Sequence, residues 1–536
     1  MRKSLRLCLL TVGALVLCLV TGCNSLPRSP KREGANKTSR TELQAKEQFH
    51  VIELNSDGLL YDLRPQHGHR LLREQEAVTN YLAETIWAGF KQSDKTNILV
   101  FVHGGMNDRD VGLKHYLDDY AFTKTNYYPV FVVWPTGWGS TYVEHLLWVR
   151  QGIKMETKLE KTFSLLTVPF ILVADLGRAV TRLPMVIANN TRSDTETITP
   201  VRKQDGGTPV KDYREIVSKG YHVHIEDDYS LWYDRLLRDV SYNGTLPVKY
   251  LFAALIDGLG KGAWDNMLRR TQTVYPGRMD QSERIQIAET LSAPTINSVR
   301  QDDGKKPRRQ RRKLKRTKRY AAAGLPAFFE LLRNFQTTNG ATSQITVVGH
   351  SMGTIILNRV ARDTKIDFAN IVYLAAASSI EDFSASVLPY LREHTNTQFY
   401  SLSLHPVAEA GEWYLIAGDL VPRGSLLMWL DNFLMNPVTE QERTLGRWRN
   451  LFRTSATGEP VIQRFYENDS SGSLTNRLHF RAFSVGFGGT NQMRSLSYQW
   501  NEHPIRKTLE ERRDTPLAHG DFTEMPYWLS DFWWKE

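Results

Sequence analysis

One segment carries residues spaced for nucleophilic catalysis: Ile345-Thr346-Val347-Val348-Gly349-His350-Ser351-Met352-Gly353-Thr354-Ile355-Ile356-Leu357. A G-x-S-x-G pattern is weak alone, but here a β-branched run precedes it and an apolar helical pattern follows. Those neighbours predict a strand, a sharp turn and a helix. A serine on such a turn holds its hydroxyl clear of the backbone. Gly349 and Gly353 remove side chains where strand and helix approach each other. The helix begins at the serine, so the positive end of its dipole faces an anion formed there. The bland alternative is a structural Gly-Ser turn.

A second motif, His103-Gly104-Gly105, directly follows the apolar run Ile98-Leu99-Val100-Phe101-Val102. Together the two motifs resemble the alpha/beta-hydrolase fold of esterases and lipases. The resemblance covers roughly Asn97 to Trp134 and Gln344 to the carboxyl end. It implies that Ser351 is the nucleophile. It also implies an oxyanion hole built from backbone N–H groups of Gly104 or Gly105 and of Met352. No metal or organic cofactor is implied.

A serine hydroxyl needs a base, and the resemblance implies the chain order Ser, acid, His. Five histidines follow Ser351: His394, His405, His479, His503 and His519. His479 falls in a predicted strand, and His394 precedes one and so sits at its wrong end. His519 lies in a loop after the last predicted strand and ahead of a final aromatic helix, Pro526 to Trp534. It is the first candidate for the base, and His503 is the second. The acid is expected just after the seventh strand in the family's count, where no Asp stands. Glu409 is the first choice there, Asp382 the second and Asp419 a distant third. Each is also readable as an ordinary surface carboxylate, as His519 is as a loop histidine capping Asp521.

The elements that must position these residues are legible as strand signals, the first two of them unbroken apolar runs, which suit strands buried on both faces of a parallel sheet. They are Ile98–Val102, Val130–Trp134, Ile345–Val348, Ile371–Leu374, Phe399–Leu404 and Leu478–Phe483. Phe49–Leu54 and Leu59–Tyr61, around Asn55-Ser56-Asp57-Gly58, predict a hairpin. Helical patterns between strands argue for an α/β architecture with a mostly parallel central sheet, its ligand chemistry at the strand carboxyl ends. About 210 residues separate Trp134 from Ile345, whereas a crossover needs only about a dozen. A large inserted cap, at about 140–325 and between the fourth and fifth strands of the family's count, is therefore expected. Its apolar stretches, Phe163–Leu176 and Leu246–Met267, are read as two buried cap helices rather than as a lid touching membrane or acyl chain. Fourteen residues interrupted by Pro169 and Asp175 are short for a transmembrane span. Arg, Trp and Gly crowd Leu420 to Asn450, for which the sequence suggests no chemistry.

All three cysteines, Cys8, Cys18 and Cys23, lie in the first 23 positions, which leaves the rest without a disulfide framework or cysteine metal site. A basic start and the apolar run Leu7–Val20 make a signal h-region. The run ends Val20-Thr21-Gly22-Cys23, which resembles a bacterial lipobox, so Cys23 is the expected lipid attachment site. The expected division is a signal peptide over 1–22, a polar tether over 23–47 and one domain over 48–536. The formal charge is +10, yet Lys305 to Arg319 alone carries 11 basic residues and no acid. Taking those eleven and the three basic residues of the first 22 positions away leaves −4. A nucleic-acid binder is thereby disfavoured. The basic run is read as a solvated loop, with anionic lipid head groups as its partner if it has one.

These readings converge on an esterase-like or lipase-like serine hydrolase of the bacterial cell envelope, lipid-anchored through Cys23. The outer membrane is the expected place if the host is Gram-negative. Its expected partners are an ester or acyl substrate and the membrane. The rivals are an acyltransferase or thioesterase on the same scaffold, and a non-catalytic envelope-binding lipoprotein.

Overall fold

The computed structural model describes residues 46–105, 126–150, 153–154, 158–188, 222–225, 246–275, 323–339, 343–404, 406, 409, 424–435, 437–453, 460–466, 472, 474–483, 519, 520 and 522. Cys23, Asp419, His503, Lys305–Arg319 and Pro526–Trp534 lie outside these residues.

Twelve strands are described: β1 Val51–Glu53, β2 Tyr61–Asp62, β3 Arg70–Leu71, β4 Asn97–Val102, β5 Tyr127–Val133, β6 Val149–Arg150, β7 Ile153–Lys154, β8 His222–Ile225, β9 Ile345–His350, β10 Asn370–Leu374, β11 Gln398–Leu404 and β12 Leu478–Phe483. Eight form one sheet in the order β1-β5-β4-β9-β10-β11-β12-β8, and every pair in it is parallel. The α/β character expected from the apolar runs is present. β5, β9 and β10 are buried along their whole length, as a sheet covered on both faces requires.

The helices that matter for the site are α1 Gln75–Leu82, α2 Trp138–Leu147, α3 Lys158–Thr181, α4 Leu246–Val274, α5 Gly324–Asn339, α6 Gly353–Asp363 and α7 Ile380–Glu393. α6 turns an amphipathic face to the sheet through Ile356, Leu357, Val360 and Ala361. Burying four such side chains stabilises the pairing by several kcal/mol, at roughly 1.5–3 kcal/mol for each large one.

The predicted hairpin takes a different form. Val51–Glu53 leaves it to pair in parallel with β5 at the sheet edge. Leu54 and Leu60 still make one antiparallel bridge. The turn is built as expected: the Asn55 side chain accepts the N–H groups of Asp57 and Leu59 at 2.9 Å, and Gly58 adopts φ +80°. Fully buried Val51 and Ile52 gain more from the sheet edge than from a two-stranded ribbon.

The long insertion follows β5, the third strand of the main sheet along the chain, not a fourth. It is not only a covering layer, because β8 joins the sheet beside β12. α4 packs against α2 and α3. It is pinned over the end of β5 by Arg270, which donates to Glu144 Oε2 at 3.1 Å, Pro135 O at 2.8 Å and Thr141 Oγ1 at 2.8 Å. α4 matches the expected buried helix, with Ala253, Ala263, Trp264 and Met267 at 1% exposure or less. α3 does not. It runs unbroken through Pro169 for 24 residues, and Leu165, Leu166, Phe170, Val173 and Val180 are 56 to 75% exposed. Its Ser164–Thr181 stretch is long and apolar enough to cross a membrane, which corrects the shorter span read from the sequence.

Candidate active site

The sheet itself brings the two motifs together. From β4 the neighbours run one way through β5 to β1, and the other way through β9 to β12. Open α/β sheets bind ligands at such a reversal, outside the strand carboxyl ends. β4 and β9 pair with Val102 opposite Gly349. Two residues further on, that register sets Gly104 across from Ser351.

The turn after β9 has the predicted conformation. Ser351 sits at φ +50°, one of three non-glycine residues with positive φ among those described. Holding a serine there costs on the order of 1–2 kcal/mol. Its surroundings fix it: the Ser351 N–H donates to Leu374 O at 2.9 Å. Its carbonyl accepts from Ala377 N–H at 3.1 Å and from the Thr354 hydroxyl at 2.7 Å. Several bonds at about 0.5–1.5 kcal/mol each offset the strain. Met352 starts α6 with no side-chain cap, leaving the helix N-terminus open to an anion.

The glycines mark close approaches. A Cβ on Gly104 would lie 2.7 Å from His350 Nδ1 and 2.7 Å from Ser351 Cβ. One on Gly105 would lie 2.6 Å from Met352 Sδ, with Met267 of α4 behind it at 3.8 Å. One on Gly353 would lie 2.2 Å from Val102 O. The His103–Gly105 loop is therefore in contact with the turn that carries Ser351.

Two histidines that the sequence offered no role hold this arrangement. His103 Nε2 accepts the Trp134 N–H at 3.0 Å, which places the ring proton on Nδ1, donated to Gly104 O at 2.6 Å. The Trp134 indole in turn donates to His103 O at 3.1 Å. His350 donates through Nε2 to His519 O at 3.0 Å. Burial holds both imidazoles neutral and lowers each pKa to about 4. In the sequence His103 is only the first residue of the His103-Gly104-Gly105 motif, and His350 stands at an x position of G-x-S-x-G, which carries no signal.

His519 is thus brought beside the Ser351 turn, with its ring centroid 4.9 Å from that of His350. Burial first, and the neighbouring His350 second, push its pKa well below the usual histidine value. The Ser351 hydroxyl makes no hydrogen bond among the described residues, so no serine–imidazole bond is formed in this structure. The serine is only 1% exposed.

Of the two carboxylate candidates among the described residues, neither is hydrogen-bonded to the His519 ring. Glu409 is buried, and its Oε1 accepts from Ser425 Oγ and from Arg447 Nε, each at 2.9 Å. Arg447 also donates to Asp431 at 2.9 Å, and Asn450 does so at 2.8 Å. Ser425 and Arg447, the partners of Glu409, both come from the stretch for which the sequence suggested no chemistry. Burial raises the Glu409 pKa, against the pull of Arg447. Asp382 lies in the first turn of α7, where it accepts from Asn358 at 2.6 Å and Arg362 at 2.9 Å.

No group of three or more His, Cys, Asp or Glu side chains suited to a metal occurs among the described residues. A cavity of about 280 Å³, lined by residues such as His50, Lys95 and Tyr128, opens at the opposite, amino-terminal edge of the sheet, away from these groups. Comparison of the chain with family models, curated proteins and solved structures finds no match.

Proposed function

We propose that this chain is a serine hydrolase of carboxylic esters, on a scaffold resembling the alpha/beta-hydrolases, held at a bacterial membrane through Cys23. The observation that carries the reading is the strained, hydrogen-bonded Ser351 turn at the sheet's reversal point, with the Gly104–Gly105 loop against it. Ser351 Oγ attacks the ester carbonyl, and the proton passes to His519. The N–H groups of the Gly104–Gly105 loop and of Met352 receive the oxyanion. The tetrahedral adduct collapses as His519 returns its proton to the leaving alcohol, and water then cleaves the acyl-enzyme by the same route. What supports the role of His519 is its place beside the Ser351 turn, with burial keeping the imidazole neutral in the resting state. Glu409 and Asp382, spent on Arg447 and Arg362, serve as structural carboxylates in this reading.

Ester hydrolysis by the purified chain, with and without an alcohol or thiol acceptor, tests the reading and separates hydrolysis from acyl transfer. Ser351→Ala should abolish turnover. Unchanged turnover in that variant rejects the proposal. Mass spectrometry of the mature amino terminus tests the anchor: an acylated Cys23 is expected, and a chain whose Cys23 is unmodified contradicts it.

A further inference from the structure

α3 is amphipathic in the inverted sense. At about 100° per residue, Leu165, Val180, Val173, Leu166 and Phe170 fall within an arc of roughly 140°, and all five point outward. The charged side chains described, Asp175 and Arg178, point inward. Asp175 accepts from the Tyr142 hydroxyl of α2 at 3.2 Å. Arg178 of α3 and Arg182 just beyond its end reach the fully buried Asp257 of α4 at 3.6 and 3.1 Å. Gly258 lets α4 approach so closely that a Cβ there would lie 2.6 Å from Asp175 O. A helix at a water-facing surface has the opposite arrangement. Nor is this a scatter of single exposed residues, which would need no explanation; it is one continuous stripe.

We infer that the outer face of α3 lies in a lipid bilayer, at the depth where apolar side chains leave water and the polar side stays with the protein. Three observations favour lipid over a second copy of this chain. Ser164–Thr181 is long and apolar enough to cross a membrane by length and composition, and unlike the core helix of a soluble protein it is mostly not buried. Its flank is held by charged groups paired within the protein, so docking in lipid strands none of them. The chain also carries the lipobox-like Cys23, and 23 positions separate it from Lys46. At up to about 3.4 Å per residue that is at most roughly 80 Å, so a tethered domain cannot stray far from the bilayer. α3 is packed along α4, so it rests in one leaflet by its outer face instead of crossing. This inference uses the membrane tether of the proposed function and goes beyond it by naming a second, non-covalent membrane contact.

The test is photo-crosslinking of the full chain on vesicles of phosphatidylethanolamine and phosphatidylglycerol containing a phospholipid with a diazirine acyl chain. Adducts are mapped by peptide mass spectrometry for the acylated protein and for Cys23→Ser. Adducts on residues 165–180 are expected in both forms. Leu166→Asp/Phe170→Asp should reduce them at least about tenfold, as two large apolar side chains would be lost from the lipid. The milder Leu166→Ser/Phe170→Ser should fall between. Hydrolysis of a water-soluble ester should be unchanged in both variants. Adducts confined to residues before Lys46, or unaffected by the substitutions, overturn the inference. So does a concentration-dependent dimer that buries the same face and yields no adducts. Loss of esterase activity or of Cys23 acylation would refute the proposed function without altering the adduct pattern, so the two failures are distinguishable.

Discussion

Replacing Gly353 by alanine tests the close approach between α6 and β4 on which the site's geometry rests. The new methyl would stand 2.2 Å from Val102 O and 2.9 Å from both His103 O and Val102 C. An unstrained contact needs a little over 3 Å, so a relative shift of about 1 Å is required. All three atoms are backbone. β4 is hydrogen-bonded to β5 on one side and β9 on the other, so no side-chain rotation relieves the clash. Overpacking of this kind costs roughly 1–3 kcal/mol. The displaced atoms lead directly into the Gly104–Gly105 loop, and a misplacement of about 1 Å at a reacting centre costs on the order of 10²-fold in rate. Gly349→Ala is the internal control. Its methyl would first meet Leu357 Cδ1 at 2.9 Å, the far end of a flexible side chain, and then Thr354 N at 3.1 Å. A loss of about 1 kcal/mol and a few-fold in rate is expected there. Urea midpoints and ester hydrolysis rates for the two variants check this. If Gly353→Ala keeps wild-type stability and a rate within about threefold, the reasoning from contact distances fails.

His519→Ala should depress kcat by at least ~10³-fold, as for bases that act as a unit with their serine, while His503→Ala leaves it nearly unchanged; steady-state kinetics decide, and the reverse pattern moves the base. Because His519 is held well below the usual histidine value, kcat/KM should show no inflection near pH ~6.5 and fall only at lower pH. His103 and His350 make stability pH-dependent in a definite direction. Each has a folded pKa of about 4, so below pH ~6.5 the unfolded chain takes up protons that the folded chain refuses. Their contribution is intact above that pH and is lost between it and about pH 4, by about 3 kcal/mol each in the limit. Urea midpoints measured from pH 7 to 5 should fall for the wild type and fall less steeply for His103→Asn.

The parts of the fold that the sequence made legible are those dictated locally. Ile98–Val102 is an unbroken apolar run and Ile345–Val348 an unbroken β-branched one, and such runs suit the interior of a parallel sheet. The Ser351 turn was readable because a β-branched run, the G-x-S-x-G frame and an apolar helical pattern follow one another directly, although the contact that demands Gly353 comes from Val102 and His103, far away in the chain. The partners of Glu409 were not, because Arg447 and Asp431 come from a segment with no periodic pattern, and a carboxylate that shares one arginine with a second carboxylate and takes a serine hydroxyl is read only once all are in place. α3 misled for a different reason. Its apolar content predicted burial, but composition does not say which side of a helix faces the protein, and here Asp175 faces in while Phe170 faces out. β8 was missed because a four-residue edge strand inside a long insertion carries too few positions to show alternation.

The central claim is that Ser351 is an activated nucleophile, and its most direct measurement is reaction of the purified chain with a fluorophosphonate, followed by mapping of the modified peptide. A single adduct at Ser351 is predicted, absent from Ser351→Ala and much slowed in His519→Ala. An unmodified Ser351 under conditions in which the chain hydrolyses esters, or an adduct at another serine that persists in Ser351→Ala, would contradict the account.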